Sequence, residues 1–305
     1  MRKLLDAFSV YLETERGASR NTRESYLRDL KSLADFLEKK GICEMEQISP
    51  KELRIYLEEL TAEGLCAATV SRNAASIRAF FSWLFKTGRL ISDPSQVLHA
   101  PKVVKQTPVI LNEAEVERLL AAPSLKTAKG LRDRAMLELL YATGLRVSEL
   151  CGLRLSDADH RRRMLVISGS STRIVPYDKR SARWLEKYLR SARKELGPDC
   201  GALFVSCRGE AMSRQGFWKL LKKYGRDAGL GTELTPHVLR HSFAVHALQN
   251  GTDANRLSGI LGHSAAAAAV GYMEIYKGEI VYEESKSGGL CQKRPGLSGE
   301  GYFVP

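Results

Sequence analysis

Residues 99–108 read His-Ala-Pro-Lys-Val-Val-Lys-Gln-Thr-Pro, with two prolines, two lysines and no helical period. Such a stretch cannot carry a helix across, because each proline lacks the backbone N–H and clashes with the preceding turn. It cuts the 305 residues into two segments, each long enough to bury a core of its own. The reading is a domain over 1–98, a linker over 99–108 and a second domain over 109–282. A tail at 283–305, rich in Gly, Ser and Pro, is expected to be mobile.

The first segment repeats apolar residues at helical spacing and has almost no strand pattern. Leu4, Leu5, Phe8, Tyr11 and Leu12 define one helix. Tyr26, Leu27, Leu30, Leu33, Phe36 and Leu37 define a second, opening on Asn21 with Glu24 three residues on as a capping box. A third begins at Ser49-Pro50-Lys51-Glu52, where serine caps, proline needs no N–H and glutamate reaches back; its apolar face is Leu53, Tyr56, Leu57 and Leu60. The fourth, over 69–87, places Val70, Ile77, Phe80, Phe81, Leu84 and Phe85 inside and Arg72 and Arg78 outside. In the second segment the spacing predicts helices over 112–122, 131–141, 180–196, 213–228, 236–250, 253–261 and 264–276. A hairpin of 164–167 and 173–176 interrupts them. The fold class that follows is mainly α, with a small β-sheet or hairpin in the C-terminal domain.

The charge balance narrows the function classes: 47 Lys and Arg against 35 Asp and Glu leave a net +12, which points to a polyanionic partner. The longest apolar runs, 79–85 and 265–270, fall far short of the roughly 20 residues that span a bilayer, so no membrane partner is expected. Asp6, Glu13 and Glu15 arrive before any signal-like apolar stretch develops. The six cysteines include no CxxC pair and read as reduced thiols of a cytoplasmic protein.

Three clusters bear chemistry. In Gly144-Leu145-Arg146-Val147-Ser148-Glu149-Leu150, Arg146 and Glu149 stand one helical turn apart, either as an acid holding a guanidinium in place or as an ordinary surface ion pair. In Thr235-Pro236-His237-Val238-Leu239-Arg240-His241, an imidazole and a guanidinium project from the first turn of a capped helix, where backbone N–H groups already favour an anion. A phosphate site and a plain capping role both fit. His237 and His241 also have the spacing of a zinc pair, but Val238 stands where the hydrolytic zinc motif has glutamate. The third cluster, Leu261-Gly262-His263-Ser264 followed by Tyr272 and Tyr276, says little by itself.

Taken in this order, the clusters resemble the tyrosine recombinase family, and the chain as far as about Tyr276 is similar to its Xer-type or integron-like members. The resemblance implies a two-domain, C-shaped clamp on double-stranded DNA, with a helical SAM-like core-binding domain at 1–98 and the catalytic domain at 109–282. It implies a catalytic set of Arg146, His237, Arg240, His263 and Tyr272, with Glu149 in support; Tyr272 lies nine residues beyond His263, the family's spacing for the nucleophile, and Tyr276 does not. The implied reaction cleaves and rejoins DNA through a 3′-phosphotyrosyl link within a tetrameric synapse, with no cofactor, no metal and no ATP. Arg23 and Arg72 fall on the helices that the resemblance places in the DNA groove.

The chain departs from the family at one chemically important place. The family carries a general-acid lysine in the hairpin turn, whereas this turn is Ser168-Gly169-Ser170-Ser171-Thr172-Arg173, shortened and without lysine. Ser170 stands at the lysine position, and Arg173 is the candidate partial substitute. Loss of a general acid costs about 10²- to 10⁴-fold in rate. Ser264 and five alanines replace the more polar residues that precede the nucleophile, and the Gly-rich tail replaces a docking helix. Three functions therefore compete: an active recombinase, a DNA-binding homologue with impaired catalysis, and a metal-dependent hydrolase resting only on His237 and His241.

Overall fold

A computed structural model describes residues 2–42, 44–101, 109–169, 172–198, 200–231, 234–262 and 271. The chain divides into two compact units, 1–106 and 107–305. Residues 102–108 of the linker expected over 99–108, the segment 264–276 apart from Gly271, and the tail lie outside the described residues.

The first unit consists of α1 (Arg2–Thr14), α2 (Arg20–Lys39), α3 (Pro50–Ala62) and α4 (Ala67–Lys86). Ser49 and Glu52 form the capping box that opens α3, with the Ser49 N–H donating to Glu52 at 3.0 Å. The start of α2 corrects the sequence reading. Its cap is Ser19, which accepts from the Thr22 N–H at 3.2 Å, and Glu24 pairs with Arg20 at 2.7 Å instead of closing a box with Asn21. An acceptor two residues upstream of Asn21 lets the helix begin earlier, and a helix extends wherever its first N–H groups find a partner.

The core of this unit joins Leu5, Phe8 and Leu12 to Leu30, Leu33, Leu53, Tyr56, Ile77, Phe80 and Phe81. Phe85, expected inside, is 45% exposed, and Trp83 takes its place at 5%. The buried arc of α4 is rotated toward α1, where the Trp83 ring meets Phe8 at 5.4 Å and Tyr11 at 5.9 Å. Phe85 thus falls one step past the opposite edge of that arc.

The second unit runs α5 (Glu113–Ala121), α6 (Ala128–Thr143), α7 (Val147–Gly152), β1 (Ala158–Asp159), β2 (Met164–Ile167), β3 (Arg173–Pro176), α8 (Lys179–Ser191), α9 (Arg214–Asp227), α10 (Pro236–Gln249) and α11 (Ala254–Leu261). The strands form an antiparallel sheet in the order β1-β2-β3, with Val166 opposite Ile174. The hairpin falls where its alternating pattern put it; the two-residue β1 and the short α7 carry too little periodicity to be read. The helix expected over 180–196 instead ends at Ser191, followed by a 3₁₀ turn at Lys194–Leu196. There Arg193 turns inward, 8% exposed, and donates to the Ala202 carbonyl at 2.7 Å.

Helix α6 lies at the centre, buried on nearly every side. Leu137, Leu139 and Leu140 pack among α8 and α10 residues such as Leu185, Tyr188 and Phe243. It also carries charge inside. Arg132 is bonded to Asp133 at 2.6 Å and to the Val205 carbonyl at 2.9 Å, while Tyr224 of α9 donates to Asp133 at 2.8 Å. Such groups remain buried only because each is paired and hydrogen-bonded. Helix α6 ends on Gly144 in the left-handed region, φ 58°, and that turn delivers the chain into α7.

Candidate active site

Three helix ends converge around Gly144. A Cβ on this residue would lie 2.4 Å from the Phe243 ring of α10 and 2.9 Å from Leu261 of α11, so only glycine fits, both sterically and by its φ. Two residues on, Arg146 occupies the N-cap of α7; its N–H donates to Glu149 at 2.8 Å and its Nη1 pairs with the same carboxylate at 3.2 Å. This is no ordinary surface pair. The Glu149 side chain is only 14% exposed, and it takes a second, bidentate partner in Arg173 of β3, both bonds at 2.9 Å.

Burial alone would raise the Glu149 carboxyl. The Arg173 hydrogen bonds, the Arg146 N–H and the two guanidinium charges outweigh it and hold the group below the usual carboxylate range.

Arg240 comes from the second turn of α10, whose Thr235 cap accepts from the Val238 N–H at 3.3 Å and whose first residue is Pro236. It is 7% exposed and fixed at both terminal nitrogens, with Nη1 donating to the Gly144 carbonyl at 2.6 Å and Nη2 to the Leu261 carbonyl at 2.8 Å. Arg146, His237 and Arg240 line one cavity of about 660 Å³. Burial, followed by the charges of His237 and Arg240, pushes the neighbouring His241 imidazole below its ordinary range.

The same cavity is also lined by Arg214, Gln215, Trp218 and Lys219 of α9, where the spacing predicts a helix but no site residue. The missed signal was a tryptophan on the polar face among cations. Trp218 is 40% exposed, with Lys222 over its ring at 4.8 Å. Lys219 also lines a second recess of about 310 Å³ together with Lys129 and Lys223, so cations continue along this helix beyond the first cavity.

His263, Tyr272 and Ser170 lie outside the described residues. Arg173 does not line the cavity; it is turned onto Glu149 and the Ile260 carbonyl. In the first unit Arg23 pairs with Glu13, and Arg72 with the buried Asp29 through two bonds of 2.9 Å. Among the described residues no three His, Cys, Asp or Glu side chains are grouped as metal ligands, and no helix is long and apolar enough to cross a membrane. Cys66, Cys151, Cys200 and Cys207 are free thiols.

In the second unit, two arginines and a histidine line one cavity, an arrangement chemically suited to hold an anionic group such as a phosphate. Residues 110–279 match the phage integrase family and residues 5–88 match the phage integrase N-terminal SAM-like domain. The chain belongs to the phage integrase family of tyrosine recombinases, with Xer-type relatives. It is 38% identical over 281 residues to tyrosine recombinase XerD of Pseudomonas aeruginosa, covering 91% of this chain and 94% of that one. It is 37% identical over 282 residues to tyrosine recombinase XerC of Roseiflexus sp., covering 90% of each. Among solved structures, XerA recombinase shares 27% identity at a TM-score of 0.53, over 93% of this chain and 97% of the other. XerH recombinase in a post-cleavage complex with a palindromic difH substrate shares the fold at a TM-score of 0.74 and 21% identity, over 93% and 84%.

Proposed function

We propose that this chain is a site-specific recombinase that cleaves and rejoins double-stranded DNA through a 3′-phosphotyrosyl intermediate on Tyr272. The observation that carries the reading is the convergence of Arg146, His237 and Arg240 on one cavity, with both arginines anchored from behind. A phosphodiester is anionic and resists an anionic nucleophile. Two fixed guanidiniums on its nonbridging oxygens offset that repulsion and stabilise the charge of the pentacoordinate transition state.

His237, exposed at the first turn of α10, accepts the Tyr272 proton, and His263 donates a hydrogen bond to the phosphate. The tyrosine oxygen bonds to phosphorus as the 5′-oxygen leaves and takes up a proton from water, since the hairpin turn has no lysine to supply one. Rejoining reverses these steps with a new 5′-hydroxyl, so the energy of the original bond is retained and no ATP is needed. A tetramer of identical or related subunits on DNA follows from the family resemblance.

A nicked suicide duplex traps the adduct. Wild type is expected to give a covalent protein–DNA band on a denaturing gel and Tyr272→Phe none; a band that persists in Tyr272→Phe would refute the assignment. The lysine-free turn favours a second reading, a binder with impaired chemistry. It predicts adduct only from Ser170→Lys.

The cationic face of α9 supplies a prediction about binding. The double substitution Lys219→Glu with Lys223→Glu is expected to weaken duplex affinity and to flatten the salt dependence of log K by about 2, at about 0.9 per lost phosphate contact. Titration by fluorescence anisotropy at several salt concentrations measures it, and an unchanged slope would remove α9 from the DNA interface.

A further inference from the structure

The geometry points to Arg173 as a positioning residue of the active site: it locks the Glu149 carboxylate, and through it Arg146, while tying strand β3 to the end of α11. This rests on the recombinase reading above. Its role is then different from that of a stand-in proton donor.

All three of its nitrogens are engaged, Nη1 and Nη2 on Glu149 at 2.9 Å each and Nε on the Ile260 carbonyl at 2.8 Å. The side chain is 11% exposed, against 38% for Arg146, and only Arg146 of the two lines the cavity. A guanidinium hardly gives up a proton in any case. Its planar fork matches the carboxylate, which a single ammonium cannot do.

Two like charges are held side by side here. A Cβ on Gly262 would lie 3.5 Å from Arg173 Nη1 and 3.6 Å from Arg146 Nη1. Glu149 is the anion shared between them. With Arg173 holding both carboxylate oxygens, the carboxylate presents a fixed edge to Arg146, and Arg146 has one arrangement toward the cavity. At the far end of the same side chain, Arg173 and Arg240 bond the consecutive carbonyls of Ile260 and Leu261. These are last-turn carbonyls of α11, which carry the negative end of the helix dipole and lie immediately before Gly262-His263 in sequence. One residue therefore sets the register between the α7 arginine and the segment leading to His263.

The test compares wild type, Arg173→Lys and Arg173→Met in two measurements. The first is the titration of the Glu149 carboxyl by carbon NMR. The charged groups facing it are Arg146 of its own helix and Arg173 of β3. With Arg173 removed, burial is opposed by Arg146 alone, and the titration is expected to move to higher pH in Arg173→Met and part of the way in Arg173→Lys. The second is single-turnover cleavage of the suicide duplex. Arg173→Met is expected to lose about 10²-fold in rate, the cost of a misplaced reacting group, with duplex affinity and cooperative melting retained. The remaining rate is expected to fall at acid pH along the shifted Glu149 titration, an acid limb that a purely structural change would not create. An unmoved Glu149 titration, or cleavage at the wild-type rate, overturns the assignment. If wild type itself makes no adduct, the recombinase reading fails, while the Glu149 titration still decides whether Arg173 sets the carboxylate. Should Arg173→Met melt early, Arg173→Lys carries both comparisons.

Discussion

Arg240→Ala is expected to lower the rate of phosphotyrosyl adduct formation by about 10³-fold, the upper end for removing one fixed transition-state donor. The reason is where the guanidinium stands. It is 7% exposed, lines the cavity, and is held by two carbonyls from different elements, Gly144 at the end of α6 and Leu261 at the end of α11. Under the proposed function it would therefore meet a phosphate without reorganising. The substitution also deprives both carbonyls of a donor, which costs about 1–3 kcal/mol for each that is left unsatisfied. Arg240→Lys separates the two effects, since it keeps the charge but spans the two carbonyls poorly. Single-turnover cleavage alongside thermal melting checks this, and a variant of normal stability that cleaves within tenfold of wild type would remove Arg240 from the phosphate clamp.

The largest effect on stability is expected from Asp133→Ala. Asp133 is fully buried, receives two bonds from Arg132 and accepts from Tyr224 at 2.8 Å. Removing it strands a guanidinium that is itself 2% exposed, and breaking a buried pair from one side costs about 3–5 kcal/mol. Replacing both partners by apolar residues of similar volume, Arg132→Met with Asp133→Leu, removes the stranded charge. The double variant is therefore expected to be more stable than Asp133→Ala alone. Denaturant melts of the three proteins decide it, and the idea is lost if the single variant unfolds at the wild-type midpoint.

The pair also shows where the sequence stops being legible. Nothing in the sequence marks Arg132-Asp133-Arg134 and Glu138 as buried, because periodicity reports which face is apolar and not how many neighbours surround the helix. Leu131 to Tyr141 was rightly read as helix from its apolar spacing, yet that spacing says nothing of charges buried against Tyr224 or Arg180, more than forty residues away. The site divides in the same way. Arg146, Glu149, His237 and Arg240 sit in local patterns with a cap or a turn to mark them. Arg173 and Trp218 reach the site only through tertiary packing, by the β3 register and the α9 face, which one-dimensional spacing does not encode. The two misplaced details of the first unit have local causes: two competing caps at Ser19 and Asn21, and an aromatic stripe wide enough to roll toward Trp83.

Gly144 acts as a spacer whose thickness is that of a single hydrogen. Phe243 and Leu261 rest against its bare Cα, its carbonyl holds Arg240, and Arg146 follows two residues later. The placement of the two cavity-lining guanidiniums is thus gauged by one atom that cannot grow. Position 144 is a lock with one letter: any side chain there would meet Phe243 and Leu261 and displace the turn on which both arginines depend.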